Sequence, residues 1–183
     1  GQSISADMVL VGIGAIPNIQ LADSIGLECD NGIKTDQYCR TSIPHILAVG
    51  DCTSSFNTLF NREFRLESVP NALAQSKVAS SSIVGNDLFN SEMPWFWSDQ
   101  YDLKLQMAGL SSGYDECHII GDIDSAEFVA CYGKEGYLIA VDSVNQSKQF
   151  MLFKKALGNG FKLEMSLIKD KNFQPDSIFS GSN

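Results

Sequence analysis

Apolar and polar positions change their period several times along the chain, and each change predicts an element. Residues Ala6 to Gly14 form a continuous apolar run ending in glycines, the pattern of a strand buried on both faces. Pro17 and Asn18 punctuate it, Ile19 to Ile25 predict a short helix, and Gly26 is placed to stop that helix in a left-handed conformation. Gly32 to Asp36 and Ile46 to Val49 read as short extended segments separated by the turn formers Thr41, Ser42 and Pro44, the second ending in Gly50-Asp51. From Pro70 to Ile83 the spacing predicts a helix, with Ala72, Leu73, Ala79 and Ile83 on its apolar side and Gly85 as its stop.

Beyond Met93 the character changes. The segment PWFWSDQYDLKLQMAGL concentrates aromatics and then alternates Leu103, Leu105 and Met107 with Lys104 and Gln106, a strand pattern that sets a domain boundary near Pro94. Glu127 to Tyr132 and Tyr137 to Val144 predict two strands around a four-residue loop, Gly133 to Gly136. Gln146 to Leu157 predicts a closing helix with Phe150, Met151 and Phe153 toward the core, and the tail from Lys169 is expected to be loosely held. The expected fold class is an α/β fragment followed by an α+β C-terminal domain with a mainly antiparallel sheet.

With 183 residues, 44% of them hydrophobic, the chain can bury a core of one large or two small domains. A net charge of −9 repels phosphate backbones and anionic lipid, so nucleic acid is not an expected partner. No apolar run is long enough for a membrane helix, and Gly1 to Ala6 lacks the features of a signal peptide. Cys29, Cys39, Cys52, Cys117 and Cys131 are scattered without zinc spacing, as reduced structural thiols of a cytoplasmic protein would be. No metal site is expected.

Gly50-Asp51 places a carboxylate at the end of an expected parallel strand, where open α/β sheets bind ligands and where an aspartate can accept hydrogen bonds from sugar hydroxyls. A simple turn aspartate is the bland alternative. The blocks VGIGAIPN (Val11 to Asn18), TSIPHILAVGD (Thr41 to Asp51), ESVPNALAQSKVAS (Glu67 to Ser80) and PWFWSDQYDLKLQMAG (Pro94 to Gly109) follow one another in order. Together they resemble the two-domain flavoprotein reductases that serve ferredoxins, rubredoxins and oxygenase electron-transfer chains, relatives of putidaredoxin reductase and of the apoptosis-inducing factor.

That resemblance implies a fragment of a flavoprotein with two dinucleotide-binding domains. Residues 1–17 would end the NAD(P)-binding domain, 18–93 would belong to the FAD-binding domain, 94–168 would form the partner-facing domain, and 169–183 the tail. It also implies roles. Asp51 would hold the sugar-like chain of FAD, and the backbone at Val69 would face the pyrimidine end of the flavin ring. Gly12, Ile13 and Gly14 would border the nicotinamide. Trp97 would lie near the flavin on the acceptor side, while Trp95 and Phe96 would pack at the domain junction. No catalytic side chain is expected, because the cofactor carries hydride transfer.

The implied function is electron transfer from NAD(P)H through FAD to a ferredoxin or rubredoxin, feeding an oxygenase. The chain contains no G-x-G-x-x-G loop, so it is expected to lack the nucleotide-binding front end and to be inactive alone. A flavin-dependent disulfide or peroxide reductase and a non-enzymatic interaction module are the alternatives, and oligomeric state is left open. Arg62, Arg65, Lys104, Lys148, Lys154 and Lys155 are candidates for a basic patch, with Arg65 and Lys104 expected to help an acidic partner dock.

Overall fold

Two sheets organise residues 1–179, the part of the chain that this computed structural model describes. Helix α1 (Gln20–Ser24) precedes β1 (Ile33–Thr35), β2 (Thr53–Asn57) and β3 (Arg62–Phe64). β1 runs parallel to β2, with Ile33 opposite Thr53, and β3 runs antiparallel to β2, with Phe64 opposite Ser55. β2 reads TSSFN and has no apolar alternation, yet Thr53, Ser54, Ser55 and Asn57 are buried. It survives because polar partners reach it, as buried polar groups require: Thr53 Oγ1 donates to Gln75 Oε1 at 3.1 Å, Asn90 Nδ2 to Ser55 Oγ at 3.3 Å, and Asn57 Nδ2 to the Glu92 carbonyl at 3.1 Å.

Two expected strands do not form. Residues 6–14 are irregular and exposed, because an apolar strand needs ladder neighbours on its edges and no described segment pairs with it. Residues 46–49 make only an isolated bridge, Leu47 with Arg40. Helix α2 (Val69–Ile83) has the expected span but a rotated buried face: Ala74, Gln75, Val78, Ala79 and Ser81 face inward, while Leu73 and Ile83 are exposed. Cys39, Val78 and Ala79 form a small core there with Leu47 and Val49.

The second sheet begins at Trp95. β4 (Trp95–Gln100), β5 (Leu103–Gly109), β6 (Glu116–Asp122), β7 (Glu127–Lys134) and β8 (Tyr137–Val144) lie in the order β4-β5-β8-β7-β6, each pair antiparallel. The chain is thus an α/β segment followed by an α+β domain on an antiparallel sheet. The β7–β8 hairpin is tighter than the glycine spacing suggests. Lys134 pairs with Tyr137, leaving Glu135 and Gly136 at φ 52° and 82° as a two-residue turn whose twist matches the strands.

Helix α3 (Ser147–Gly158) lies on one face of this sheet. Phe150, Phe153 and Leu157 meet Ala108, Val129, Cys131 and Val141, with Met165 and Ile168 of α4 (Met165–Ile168) closing the core. Met151, expected inside, is exposed because one residue past Phe150 turns about 100° around the helix. Residues 175–179, in the segment expected to be loosely held, form a 3₁₀ helix against α3, and Phe173 stacks 6.3 Å from Phe153. Residues 180–183 of that tail lie outside the described residues. No described helix is long and apolar enough to cross a membrane. Phe153→Ala is expected to cost about 3–5 kcal/mol, read as the urea midpoint of the C-terminal domain; a loss under about 1 kcal/mol would show that the core centre lies elsewhere.

Candidate functional site

The entry to α2 faces the first strand of the second sheet across a cleft of about 280 Å³. Leu66, Val69, Pro70 and Leu73 line one side, Met93, Pro94, Trp95 and Trp97 the other. The helix starts here for local reasons. Ser68 is extended (φ −160°, ψ 146°) and its hydroxyl accepts from the Asn71 N–H at 3.2 Å, while Pro70 is pre-shaped for the first turn. The Ala72 N–H bonds the Ser68 carbonyl, and proline has no N–H. The Val69 N–H is therefore the first-turn donor left without a partner among the described residues, at the positive end of the helix dipole.

Trp97 is held from behind. It stacks on Trp95 with ring centroids 5.4 Å apart, and Trp95 in turn meets Phe150 of the core at 6.2 Å. Lys154 Nζ sits 3.6 Å from the Trp95 ring centroid, and burial pulls its pKa down, with Glu92 opposing. Trp97 keeps 37% of its surface exposed. Alternation along β4 sends Phe96 to the other face, where it is partly exposed and lines a second, smaller cleft with Glu67, Met107 and Asp142. Trp95 packs at the junction as expected; Phe96 is not core.

The strip between the domains is tied to the first sheet. The Thr58 N–H bonds the Asn90 carbonyl at 2.9 Å, the Asn90 N–H bonds the Gln37 carbonyl at 2.8 Å, and Asn57 reaches Glu92 as above. Val69 and Trp97 thus meet across one cleft although 94–97 belongs to the second sheet.

Asp51 lies outside this cleft's lining, in the exposed turn that opens β2 rather than at the end of a strand. Its carboxylate has no partner among the described residues. The turn itself is firmly held: the Gly50 N–H, at φ 87°, donates to Gln75 Oε1 at 2.6 Å, and the single proton of the Thr53 hydroxyl is shared between the Gly50 carbonyl at 2.8 Å and that oxygen at 3.1 Å. Gln75 is fully buried and is absent from the apolar face that spacing predicts for α2. Its signal in the sequence is a polar residue flanked by Ala74 and Val78 on an inward stripe.

Gly12, Ile13 and Gly14 are exposed, Ile13 at 91%, and a side chain at either glycine would meet nothing within 4 Å. The structure does not bring them into the cleft. Arg65, expected on a docking surface, is instead largely buried, and Lys104 pairs with Asp99 across the β4–β5 hairpin at 2.9 Å. Burial pushes the Cys39 and Cys131 thiols up to about 12, so both stay protonated at neutral pH and are poor nucleophiles.

Residues 1–76 match the pyridine nucleotide-disulphide oxidoreductase family, and residues 95–177 match the reductase C-terminal family. The chain is 40% identical over 182 residues to the putidaredoxin reductase of Pseudomonas putida, covering 100% of this chain and 43% of that protein. It is 42% identical over 154 residues to a ferredoxin–NAD(P)+ reductase of a Sphingomonas species, covering 83% and 37%. Among solved structures, that of a covalent putidaredoxin reductase–putidaredoxin complex matches with a TM-score of 0.89 at 38% identity, over 98% of this chain and 43% of that one. The chain therefore spans about two fifths of the length of these relatives.

Ser68→Ala is expected to lower stability by about 1 kcal/mol through loss of the α2 cap; an unchanged urea midpoint would mean that the cap is not formed in solution. A second expectation concerns Asp142, which accepts from the Tyr132 hydroxyl at 2.8 Å. Burial raises its pKa and the Tyr132 hydrogen bond lowers it, with burial prevailing. The ionised form thus costs the folded state stability, a cost absent below the unfolded pKa of about 4 and complete once pH exceeds the raised folded value. Asp142→Asn, which can still accept from Tyr132, should raise the urea midpoint near pH 7 and leave it unchanged at about pH 3. Equal midpoints for variant and wild type at both pH values would refute this.

Proposed function

We propose that this chain, which belongs to the ferredoxin and rubredoxin reductase family, is part of an enzyme that passes electrons from NAD(P)H through FAD to a small iron–sulfur protein. The acceptor is of the ferredoxin or rubredoxin type and feeds an oxygenase. The observation that carries this reading is the cleft in which the Val69 end of α2 faces Trp97.

The residues present suit a flavin. Asp51 offers an exposed carboxylate without a partner among the described residues, able to accept from sugar hydroxyls. Val69 offers a backbone donor at a helix N-terminus, favouring negative charge nearby. When bound, FAD takes up hydride and releases electrons singly. On this reading Val69 orients the ring through its N–H and Trp97 covers it toward the acceptor, its plane held by Trp95. Gly12, Ile13 and Gly14 border the nicotinamide, where the open space around both glycines permits close approach. A cytoplasmic setting belongs to the proposal, supported by buried reduced thiols at Cys39 and Cys131.

Absorbance of the full-length protein tests the reading. It is expected to purify yellow, to be bleached by NADH or NADPH and to be reoxidised by an iron–sulfur protein; a colourless protein that does not take up added FAD would overturn it. Asp51→Ala is expected to raise the FAD dissociation constant tenfold or more, the loss of a charge-assisted hydrogen bond of about 1.5–3 kcal/mol.

A further inference from the structure

Arg65 follows β3 directly. The antiparallel register, Phe64 opposite Ser55, carries the next residue toward the start of β2 and so toward the Gly50–Asp51 turn. There its guanidinium is enclosed, with 15% of the side chain exposed. One terminal nitrogen, Nη1, donates to the Asp51 carbonyl at 3.5 Å and pairs with the Glu67 carboxylate; the other, Nη2, donates to the Ala15 carbonyl at 3.5 Å. A single cation therefore touches three segments: the one containing Gly12 to Gly14, the turn bearing Asp51, and the approach to α2.

Both carbonyl contacts lie at the outer limit of hydrogen bonding, so they add little stability, and what they fix is relative placement. The planar fork of arginine can serve separate acceptors at once, whereas the ammonium of lysine is a point charge that cannot hold that geometry. We infer that Arg65 is a positioning residue that locks the Gly12–Ala15 segment to the Gly50–Asp51 turn, and so sets how nicotinamide and flavin lie toward each other. The inference rests on the roles proposed above for those two segments.

Arg65→Lys and Arg65→Gln in the full-length protein test it with two measurements. In flavin-free protein, amide hydrogen exchange over residues 48–53, where the Ala48, Gly50 and Thr53 N–H groups are hydrogen-bonded, is expected to rise at least about fivefold in both variants, since local opening follows the loss of tethering contacts. In flavin-loaded protein, Arg65→Lys is expected to slow flavin bleaching at saturating NAD(P)H at least about tenfold while FAD affinity changes by less than about threefold, the split expected when orientation is lost and binding is kept. Unchanged exchange over 48–53 overturns the inference, and so does faster exchange with an unchanged bleaching rate. A wild-type protein that takes up no FAD sinks the functional reading instead, and the exchange result still stands by itself.

Discussion

The cleft depends on one buried amide. Gln75 points inward from the middle of α2 and its Oε1 receives both the Gly50 N–H and the Thr53 hydroxyl. This joins the helix that ends at the cleft to the turn that carries Asp51. Without it the part-buried Gly50 N–H would lose its partner, a net loss of about 0.5–1.5 kcal/mol, and the helix would lose its registration on β2. Much of the first domain follows from that link, because β2 is itself polar and is held by such side-chain bonds rather than by apolar packing.

Legibility in the sequence divides along the same line. The second domain is readable where apolar periodicity governs: β5, β7, β8 and α3 fall where alternation or helical spacing puts them, while β4 and β6 form where no separate strand is predicted. The misreadings there are local. Met151 was put inward although it lies off the stripe of Phe150 and Phe153, and the glycines flanking Lys134-Glu135 suggested a loop twice as long as the turn that forms. In the first domain the signal was weaker. TSSFN has no strand signature, so β2 could not be seen, while Ala6 to Gly14 has the signature but lacks ladder partners among the described residues.

The candidate site was legible through resemblance more than through physics. Val69 and Trp97 were named from family blocks, and the structure puts both on one cleft. Nothing in local spacing announces that they meet, since the contact is tertiary. Gln75 and Arg65 show the converse case. Neither belongs to a motif with a mechanism of its own, yet each bridges segments far apart in sequence. A lone polar residue on an inward stripe and a lone arginine after a short strand carry no decipherable pattern until the fold supplies their partners.

The strip from Asn90 to Glu92 is pinned to the first sheet by backbone and side-chain bonds on both flanks, and Trp95 begins the second sheet three residues later. That strip works as a ruler. Each extended residue contributes about 3.3 Å, so the distance across the cleft is encoded as a residue count, while the character of its walls is encoded in side chains. The two properties can then evolve separately: substitution retunes what the cleft holds, and insertion or deletion changes how thick that occupant can be.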